Sequence, residues 1–409
     1  MNILFVHEVD WLKKVVFEIH SLADALSQRG HTVYAIDYED KWRRESAFDC
    51  GTLKTRVYEN IGRSLPGASV SVRRPGFIKI PGISRLSAAF THYAEIKKTI
   101  QEKHIEAIVL YSVPTNGLQT LSLGKKFNIP VLFRSIDILS MMVPYALLRP
   151  AMRLLEKKVY RSADLVLPNT PQYLKYVSRM GAPASKIRLL YFPINTGLFR
   201  PGADASELRQ KWNLREEEPV IVFIGTLFNF SGLDGFLREF WRIIEEIPNA
   251  KLLIVGDGQQ RPALERIINE LELRDRVIIT GFQPYETMPQ YIGLAKVCIN
   301  TFIMNKTTID VFPSKILQYA ACGKATVATP LLGITSLLAG ESHGVAYREE
   351  PAGMALEVLA LLKDSERRMQ MEKNGLEYVR TNFAFAKITG ELEAILEEAI
   401  KAKRHEKAS

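Results

Sequence analysis

Cysteine is scarce in this chain of 409 residues, which contains only Cys50, Cys298 and Cys322. Three cysteines so far apart are too few for a disulfide framework and too scattered for a zinc site. Two of them, Cys298 and Cys322, lie in apolar surroundings, which is typical of buried thiols. We therefore predict no disulfide framework and no cysteine-bound zinc ion.

Long hydrophobic runs are also missing. No apolar segment approaches the ~20 residues needed to span a bilayer. The first six residues run directly into a loop that contains Glu8 and Asp10, unlike a signal peptide. We expect a cytoplasmic protein, with a peripheral position on the inner face of the membrane as the alternative.

The composition, 47% hydrophobic and 24% charged, is that of a globular protein, and the length favours two domains. Its charge is uneven: residues 1–200 have 29 lysines and arginines against 16 acidic residues, a net charge of +13, whereas residues 201–409 have 25 against 29, a net charge of −4. A basic half indicates an anionic partner, either nucleic acid or an anionic membrane surface. Because its basic residues are not interleaved with stacking aromatics, we predict no nucleic-acid binding.

Short apolar strands recur through the first half, with helical patterns between them. Residues 2–6 form the first predicted strand, an amphipathic segment follows at residues 11–28, and a second strand ends at Ile36. Further buried strands are predicted at residues 107–110, 131–133, 165–167 and 187–190. This alternation predicts a doubly wound parallel sheet, in which ligands lie at the carboxyl ends of the strands.

Two basic segments interrupt this pattern. Residues 51–90 carry several prolines, glycines and arginines and are predicted to form a long basic loop or mobile insertion. Residues 147–161 are predicted to form an amphipathic helix with Arg149, Arg153, Lys157 and Arg161 on one face and Leu148, Ala151, Leu155 and Val159 on the other. Either this helix packs on its sheet with a solvated basic face, or its surface lies against anionic lipid.

The strand pattern restarts after a charged stretch rich in proline and glycine. Strands ending near residues 224, 255 and 279 lead into glycines, namely Gly225, Gly256, Gly258 and Gly281. This arrangement predicts a second nucleotide-type α/β domain. We predict a first domain at residues 1–198, a linker at 199–217 and a second domain at 218–383, with a C-terminal helix at 384–409 that packs back on the first domain.

One stretch of the second domain, residues 310–323, predicts a helix capped at Ser314 and stopped by a glycine. Lys315 lies in the first turn, where a cation is unfavourable for the helix itself. A lysine in this position indicates a phosphate ligand at the helix start. The alternative is a solvated lysine on an ordinary amphipathic helix.

The ordered set of motifs resembles the GT-B glycosyltransferases, and within them the retaining family 4 enzymes. The motifs are residues 29–33, 162–166, 222–225, 253–258, 275–281 and 312–324, and they cover nearly the whole chain. The resemblance implies an α/β fold of two Rossmann-like doubly wound parallel-sheet domains that face each other across a cleft. It also implies a nucleotide-sugar donor in the second domain and an acceptor in the first.

The resemblance assigns the donor-side loops. Gly281 and Phe282 match the loop that contacts the base, and Gly225 and Thr226 match the loop below the diphosphate. Strand-end glycines, which include Gly256 and Gly258, let backbone N–H groups approach a diphosphate closely. Each glycine taken singly is also explained by a tight turn without a ligand.

The chain departs from the family at charged positions. The two family glutamates map onto Asp310, which would accept hydrogen bonds from the donor sugar, and Gln318, which would meet the ribose hydroxyls. The arginine and lysine that usually neutralise the diphosphate map onto Thr226 and Ser231, which bear no charge. We expect Lys315, together with the helix start at Ser314, to stabilise the diphosphate leaving group instead.

The acceptor half provides the remaining candidates. Asp137 follows a buried strand and is the candidate base, with a helix N-cap as the alternative explanation. His7, Glu8, Asp10 and Trp11 occupy the first loop and would shape the acceptor pocket, although His7 is equally explained as a plain strand-end residue. In retaining relatives the diphosphate itself can take the proton, so a dedicated base is not required.

No Asp-x-Asp triad of the kind that holds a divalent ion occurs in the second half, so we expect no metal and no other cofactor. The predicted activity is a metal-independent, retaining transfer of a sugar from a UDP- or GDP-sugar to a glycan or lipid-linked acceptor. One alternative is a GT-B-shaped protein that binds a nucleotide sugar or a partner without transferring, motivated by Thr226, Ser231 and Gln318. Another is a nucleotide-sugar epimerase on the same fold.

Overall fold

A computed structural model describes residues 1–14, 16–39, 50–80, 83–143 and 145–408. The chain divides into two compact units: unit 1 comprises Met1–Pro193 and Ala386–Ser409, and unit 2 comprises Ile194–Phe385. Each unit has its own sheet, parallel at nearly every strand pair, with helices between most successive strands. The predicted fold class, two doubly wound α/β domains, is confirmed.

The described part of unit 1 contains a seven-stranded sheet and the helices that connect its strands. The strands are β1 (Asn2–Val6), β2 (Thr32–Ile36), β3 (Arg56–Ile61), β4 (Val70–Arg74), β5 (Ala107–Leu110), β6 (Val131–Ser135) and β7 (Leu165–Pro168). The helices are α1 (Glu18–Gln28), α2 (Ser84–Glu102), α3 (Gly117–Phe127), α4 (Arg149–Ser162) and α5 (Pro171–Arg179). The strand order is β3-β4-β2-β1-β5-β6-β7, and neighbouring strands are parallel except for β3 and β4.

Alternate residues of β1 face opposite helical layers, as the two-residue period of a strand requires. Ile3 and Phe5 belong to one apolar cluster, which includes residues of α1. Leu4 and Val6 belong to a second cluster, which includes residues of α2, α3 and α4. Because helices cover both faces of the sheet, the strand sequence is apolar throughout.

Unit 2 contains a six-stranded parallel sheet. Its strands are β8 (Val220–Ile224), β9 (Lys251–Val255), β10 (Val277–Ile279), β11 (Ala295–Asn300), β12 (Thr326–Ala328) and β13 (Val345–Tyr347), in the order β10-β9-β8-β11-β12-β13. Its helices are α6 (Ser206–Lys211), α7 (Leu233–Glu239), α8 (Trp241–Glu246), α9 (Arg261–Glu270), α10 (Met288–Gly293), α11 (Lys315–Ala321), α12 (Leu332–Thr335), α13 (Pro351–Lys363) and α14 (Ser365–Asn382).

The last helix, α15 (Phe385–Ala408), belongs to unit 1 although it follows unit 2 in sequence. Ile388, Leu392 and Leu396 recur every four residues and therefore share one face. They are buried in the cluster that contains Ile3 and Phe5. The C-terminal helix thus completes the core of unit 1.

The first helix is shorter than predicted. It begins at Glu18, whereas the periodicity placed its start at residue 11. The Asp10 carboxylate accepts hydrogen bonds from the backbone N–H groups of Leu12 and Lys13, at 3.0 Å each, and holds this segment in a turn. Hydrogen bonds from the backbone to the Asp10 carboxylate therefore set the conformation here, although the amphipathic pattern predicted a helix.

The predicted basic loop at residues 51–90 is wrong where the structure describes it. β3 and β4 form an antiparallel hairpin, β4 pairs in parallel with β2, and α2 begins at Ser84, while residues 81 and 82 lie outside the described part. Two of its arginines are buried in ion pairs: Arg73 with Glu95 at 2.7 Å, and Arg74 with Asp10 at 2.6 Å. Because internal carboxylates neutralise them, these arginines can be buried in β4, next to the edge strand β3.

The strand predicted at residues 187–190 is also absent from the described structure. The segment runs beside β7 and forms only an isolated bridge between Ile187 and Val166. Its backbone N–H groups at Arg188 and Leu190 donate to β7 carbonyls at 3.0 Å, without a continuous ladder. Hydropathy locates the segment in the core but does not specify its pairing.

The buried face of α4 differs from the predicted one. We expected Leu148, Ala151 and Leu155 on the buried side, but all three are exposed. The buried residues are Met152, Glu156, Val159 and Tyr160. The Glu156 carboxylate accepts hydrogen bonds from the Leu139 backbone N–H and the Tyr176 hydroxyl, each at 3.2 Å, so a charged residue occupies the buried side and the helix is rotated.

Residues 199–217, predicted to be a linker, belong to unit 2. Phe199 is buried against the Tyr285 ring, with a centroid distance of 5.4 Å. The Trp212 indole N–H donates to the Tyr291 hydroxyl at 3.3 Å. These aromatic contacts attach the segment to the body of unit 2.

Candidate functional site

In unit 2 the chain runs from β8 outward through β9 to β10 and then returns to the other side of β8 with β11. In open α/β sheets a ligand crevice forms where strand order reverses in this way, at the carboxyl ends of the two strands. Gly225 follows β8, and Thr301 and Phe302 follow β11. This edge of the sheet is therefore the candidate donor site.

Glycines form the floor of this site because the chain segments approach closely there. Gly225 and Gly256 have left-handed φ values of +140° and +152°. A Cβ atom at Gly256 would lie 2.0 Å from the Gly225 carbonyl oxygen, and one at Gly225 would lie 2.8 Å from Nζ of Lys315. A side chain at either position would displace backbone or the lysine, so backbone alone lines this part of the edge.

Lys315 is the central charged side chain of the edge. Its Nζ lies 4.0 Å from the ring centroid of Phe223 and 4.5 Å from that of Phe302. Among the described residues it has no hydrogen-bond or ion-pair partner. Burial lowers its pKa from 10.5 to about 7. The faces of two aromatic rings, rather than a carboxylate among the described residues, hold the ammonium.

The lowered pKa of Lys315 affects how its ammonium responds to an anion. An ammonium whose pKa is lowered by burial gains stability when a negative charge arrives beside it. A diphosphate at the strand-end glycines would supply that charge and would be stabilised in return as a leaving group. The alternative of a solvated surface lysine does not describe Lys315, which is partly buried between two aromatic rings.

The helix that carries Lys315 differs from its prediction in one respect. α11 begins at Lys315, as expected, but Ser314 adopts a helical conformation and its side chain makes no capping hydrogen bond. The helix has only seven residues, so a full macrodipole is not available to an anion. Lys315 therefore provides more of the positive potential than the helix end.

The structure does not bring every predicted donor residue to an open surface. Thr226 is exposed after β8. Ser231 is completely buried and donates from its hydroxyl to Gln260, while its carbonyl accepts from Thr301. Ser231, which stands where the family pattern has its second cation, therefore faces the protein interior in this chain.

The other predicted donor residues lie in three loops. Asp310 is partly buried in the loop between β11 and α11. The Gln318 side chain hydrogen-bonds to the hydroxyl of Tyr285, while burial raises the tyrosine pKa to about 12. Phe282, beside Gly281, has 68% of its surface exposed, so its ring is available to a planar ligand.

Gly258 lies in the loop after β9, where its N–H donates to the Asp257 carboxylate at 2.8 Å. A Cβ atom there would lie 2.6 Å from the Leu227 carbonyl oxygen, so the loops after β8 and β9 pack tightly. The Arg261 guanidinium pairs with Asp257 at 2.9 Å and lies beside Gly281. These contacts hold the glycine loops of neighbouring strands together.

In unit 1, His7 follows β1 at the same kind of edge, beside Tyr111 at the end of β5. Its ring packs against Phe17 and Tyr111, with centroid distances of 5.7 and 5.6 Å. Burial lowers the His7 pKa to about 3, and its buried Nδ1 has no hydrogen-bond partner among the described residues. A neutral imidazole with an unused nitrogen is suited to a hydroxyl ligand rather than an anion.

The other three residues of the first loop also contact the rest of unit 1, although Oδ2 of Asp10 and Nε1 of Trp11 are buried without a hydrogen-bond partner among the described residues. Glu8 accepts hydrogen bonds from the backbone of Thr115 and Asn116, at 2.7 and 2.8 Å, at the start of α3. Asp10 pairs with Arg74, and Trp11 is buried in the core. The role of His7, Glu8, Asp10 and Trp11 on the acceptor side stays a prediction.

Asp137 lies just beyond β6, as predicted, and its side chain is exposed. Nearby protein atoms still desolvate the carboxylate and raise its pKa, and the negative charge of Glu18 raises it further. The first backbone N–H of the following turn, at Leu139, donates to Glu156 instead of Asp137. The N-cap explanation therefore does not apply, and Asp137 remains the candidate base.

Sequence reasoning missed a buried ion pair next to these residues. Arg134, in β6, donates to both carboxylate oxygens of Glu18, at 2.6 and 2.8 Å, and the Tyr111 hydroxyl donates to the same carboxylate at 3.0 Å. It also missed the ring contacts that Phe223 and Phe302 make with Lys315. An arginine inside an apolar strand was the available signal for the pair, whereas Phe223 has the pattern of an ordinary core residue.

Within the described ranges, no group of three histidine, cysteine, aspartate or glutamate side chains is arranged to hold a metal ion. No helix among the same residues is long and apolar enough to cross a membrane. Metal independence stays a prediction.

Two family models match the chain. The model for the glycosyl transferase 4-like domain matches residues 16–193, and the model for glycosyl transferases group 1 matches residues 204–378. Together the two matches span most of the chain. One lies in unit 1 and the other in unit 2.

Individual relatives are distant. Alpha-D-kanosaminyltransferase of Streptomyces kanamyceticus is 24% identical over 253 residues, which is 61% of this chain and 64% of that protein. The chain thus matches somewhat less than two thirds of the length of the curated relatives.

Solved structures show the same fold over nearly the full length. Sucrose-phosphate synthase from Thermosynechococcus elongatus has a TM-score of 0.74 at 20% identity and covers 98% of this chain and 99% of its own. The HepE protein of Anabaena in complex with UDP-glucose has a TM-score of 0.73 at 18% identity, covering 97% and 100%. With this topology in both units and a family match in each, the chain belongs to the GT-B glycosyltransferases and combines a glycosyl transferase 4-like domain with a group 1 domain.

Proposed function

We propose that the protein transfers a sugar from a nucleotide-sugar donor, a UDP- or GDP-sugar, to a glycan or lipid-linked acceptor. The observation that carries this proposal is Lys315, a partly buried ammonium without an anionic partner among the described residues, placed at the glycine-lined edge of the unit 2 sheet. A diphosphate supplies the missing negative charge. UDP is the first nucleotide to test because a structural neighbour is solved with UDP-glucose.

The donor is expected to extend from Lys315 in two directions. The exposed ring of Phe282 and the backbone of Gly281 would meet the base. Asp310, in the loop before α11, would accept hydrogen bonds from the donor-sugar hydroxyls. Gln318 must exchange its hydrogen bond with Tyr285 for the ribose hydroxyls, or act through that tyrosine.

We further propose that transfer proceeds with retention and without a metal. Lys315 and backbone N–H groups would stabilise the departing diphosphate, which takes the acceptor proton. His7 and Asp137 would orient the acceptor hydroxyl from unit 1, because their side chains follow the neighbouring strand set β1-β5-β6. The anomeric configuration of the product, measured by NMR, tests retention. Product formation with and without a chelator tests metal independence.

Donor binding is tested by replacing Lys315. Hydrogen bonds to charged groups contribute about 1.5–3 kcal/mol, so Lys315→Ala is expected to weaken UDP binding at least about tenfold in calorimetric titration. Thr226→Ala should weaken it less than about threefold, since its hydroxyl carries no charge. Lys373→Ala, an exposed lysine on α14, is the matched control. Near-normal UDP affinity in Lys315→Ala would falsify the assignment.

A binding protein without transferase activity is the second candidate. Two observations favour it: Ser231 faces the interior where relatives place a cation, and Gln318 is engaged with Tyr285. A panel of UDP- and GDP-sugars with glycan and lipid-linked acceptors distinguishes the two functions. UDP binding without any transfer or hydrolysis across the panel would establish the non-catalytic function, and product formation would exclude it.

A further inference from the structure

The rotation of α4 leaves a row of large apolar side chains in solvent. Leu147 has 91% of its surface exposed, Leu154 has 68%, and Tyr145, just before the helix, has 72%. Ala151 and Leu154, three residues apart, share the outward face of α4, and Leu147 lies two residues before the helix begins. Contiguous exposed leucines are costly in water and indicate a surface that is covered by a partner.

The same helix is strongly basic. α4 contains five basic residues and only one acidic residue, Glu156, which is buried. None of the five forms an ion pair among the described residues of the protein. They are Arg149, Arg153, Lys157, Lys158 and Arg161. Unlike the arginines of β4, which are neutralised by internal carboxylates, the exposed Arg153, Lys158 and Arg161 are available to an external anion.

A second exposed apolar row lies on α2. Leu86, Phe90 and Tyr93 recur at helical spacing and have 64%, 76% and 38% of their surfaces exposed. α3 packs against both α2 and α4, so the two rows belong to one helical layer of unit 1. Lys97, four residues after Tyr93, continues this face of α2, whereas Lys98 pairs with Glu102 at 3.9 Å.

We propose that the outer surface of α2 and α4 binds the surface of an anionic lipid bilayer. The leucines and aromatic rings would enter the boundary between headgroups and acyl chains, and the basic side chains would contact the lipid phosphates. This surface fits the general form of an interfacial helix, with exposed apolar residues and lysine or arginine beside them. The proposal does not depend on the proposed transferase activity, because lipid binding requires neither donor nor acceptor.

Charge complementarity selects lipid over other partners of this surface. A second copy of this chain would place the unpaired positive charges of one α4 near those of the other, which is unfavourable. Nucleic acid would need aromatic rings interleaved with the basic residues, but the exposed residues between them are mainly leucines. A bilayer with anionic headgroups matches both the charge and the apolar row.

The apolar part of the proposal is tested by vesicle flotation. The full-length protein is mixed with vesicles of phosphatidylcholine alone or of phosphatidylcholine with phosphatidylglycerol, and we expect recovery only with the anionic vesicles. The double variant Leu147→Ser/Leu154→Ser should lose at least about tenfold in partitioning. Leu356→Ser/Met369→Ser removes two comparably exposed apolar side chains from unit 2 and should bind as the wild type does.

The double variant Arg153→Glu/Lys158→Glu tests the contribution of the basic residues. We expect it to reduce partitioning onto anionic vesicles at least about tenfold. Arg266→Glu/Lys373→Glu, on exposed positions of unit 2, is its control. If either α4 variant loses its native melting transition, Leu86→Ser/Phe90→Ser on α2 provides the same test. Equal recovery of wild type with neutral and anionic vesicles, or unchanged flotation of the variants, overturns the proposal. So does a dimer that Leu147→Ser/Leu154→Ser dissociates without any effect on flotation.

Discussion

At the scale of single residues, Lys315 shows the cost in stability of an ammonium that is desolvated without an ionic partner among the described residues. Its ammonium rests on two phenylalanine rings, and burial lowers its pKa to about 7. The unfolded chain would hold the same proton up to pH ~10.5. Between these pH values the unfolded state binds more protons than the folded state, so the stability of the free protein rises with pH.

Replacing Lys315 by Met should therefore stabilise the ligand-free protein, most of all at low pH. We expect a gain of about 2 kcal/mol near pH 6.5, where the wild-type ammonium is charged in both states, after discounting for partial exposure. The gain should shrink as the pH approaches ~10, where the wild type has lost the penalty. Urea unfolding at both pH values measures it.

The exposed Lys373→Met variant should show no such dependence on pH. A Lys315→Met variant that is less stable than the wild type at pH 6.5 would contradict the account of Lys315 as a desolvated, unpaired ammonium.

Single residues also show which features a sequence pattern can identify and which contacts only the folded structure fixes. The strand-end glycines and Lys315 were identifiable from sequence, because glycine after an apolar strand has few explanations. The sequence did not predict that Ser231 faces the interior or that Phe223 and Phe302 enclose the lysine. Those facts depend on how β8, β11 and the following loops pack together.

At the scale of elements, buried ion pairs join the loops of unit 1 to its strands. Arg74 of β4 donates to Asp10 after β1 and to Asp37 after β2. Arg134 of β6 donates to Glu18 at the start of α1. These pairs explain why an arginine-rich segment forms a sheet edge, and why α1 begins later than its apolar periodicity indicates.

We predict that Arg74→Met destabilises the protein by about 3–5 kcal/mol, because it leaves two buried carboxylates without their partner. The matched control is Arg56→Met, which removes a half-exposed partner of Glu39 and should cost less than about 1 kcal/mol. Chemical unfolding measures both. Equal losses for the two variants would mean that the Arg74 pairs are not desolvated as the structure indicates.

At the scale of the whole molecule, the chain crosses from unit 1 to unit 2 and returns with its last helix. α15 buries Ile388, Leu392, Leu396, Ala399 and Ile400 in the core of unit 1. Each fully buried aliphatic side chain contributes about 1.5–3 kcal/mol. The sum is comparable with the total stability of a typical domain.

Truncation after residue 384 should therefore unfold unit 1 while unit 2 keeps its structure. We expect the part of a calorimetric scan that belongs to unit 1 to disappear and UDP binding, if Lys315 holds the donor, to remain within about threefold of the full-length value. A truncated chain with unchanged thermal unfolding would show that α15 is dispensable for the core of unit 1.

The sequence by itself determined the fold class of this protein, because apolar strands alternating with helical segments indicate a doubly wound sheet. The glycines at strand ends, together with Lys315, predict an anion site at one edge of that sheet. These are local properties, because period, glycine and charge act within a few residues. Only the tertiary structure decided which side of α4 is buried, which arginines are neutralised and which residues surround Lys315. Each of those outcomes depends on a partner outside the local sequence, such as Tyr176 for Glu156 or Asp10 for Arg74, because a buried carboxylate without hydrogen-bond or ion-pair partners is costly. Leu148 and Leu155, which the sequence pattern placed on the buried side, are instead exposed near Leu147 and Leu154 of the surface that we propose to bind a membrane.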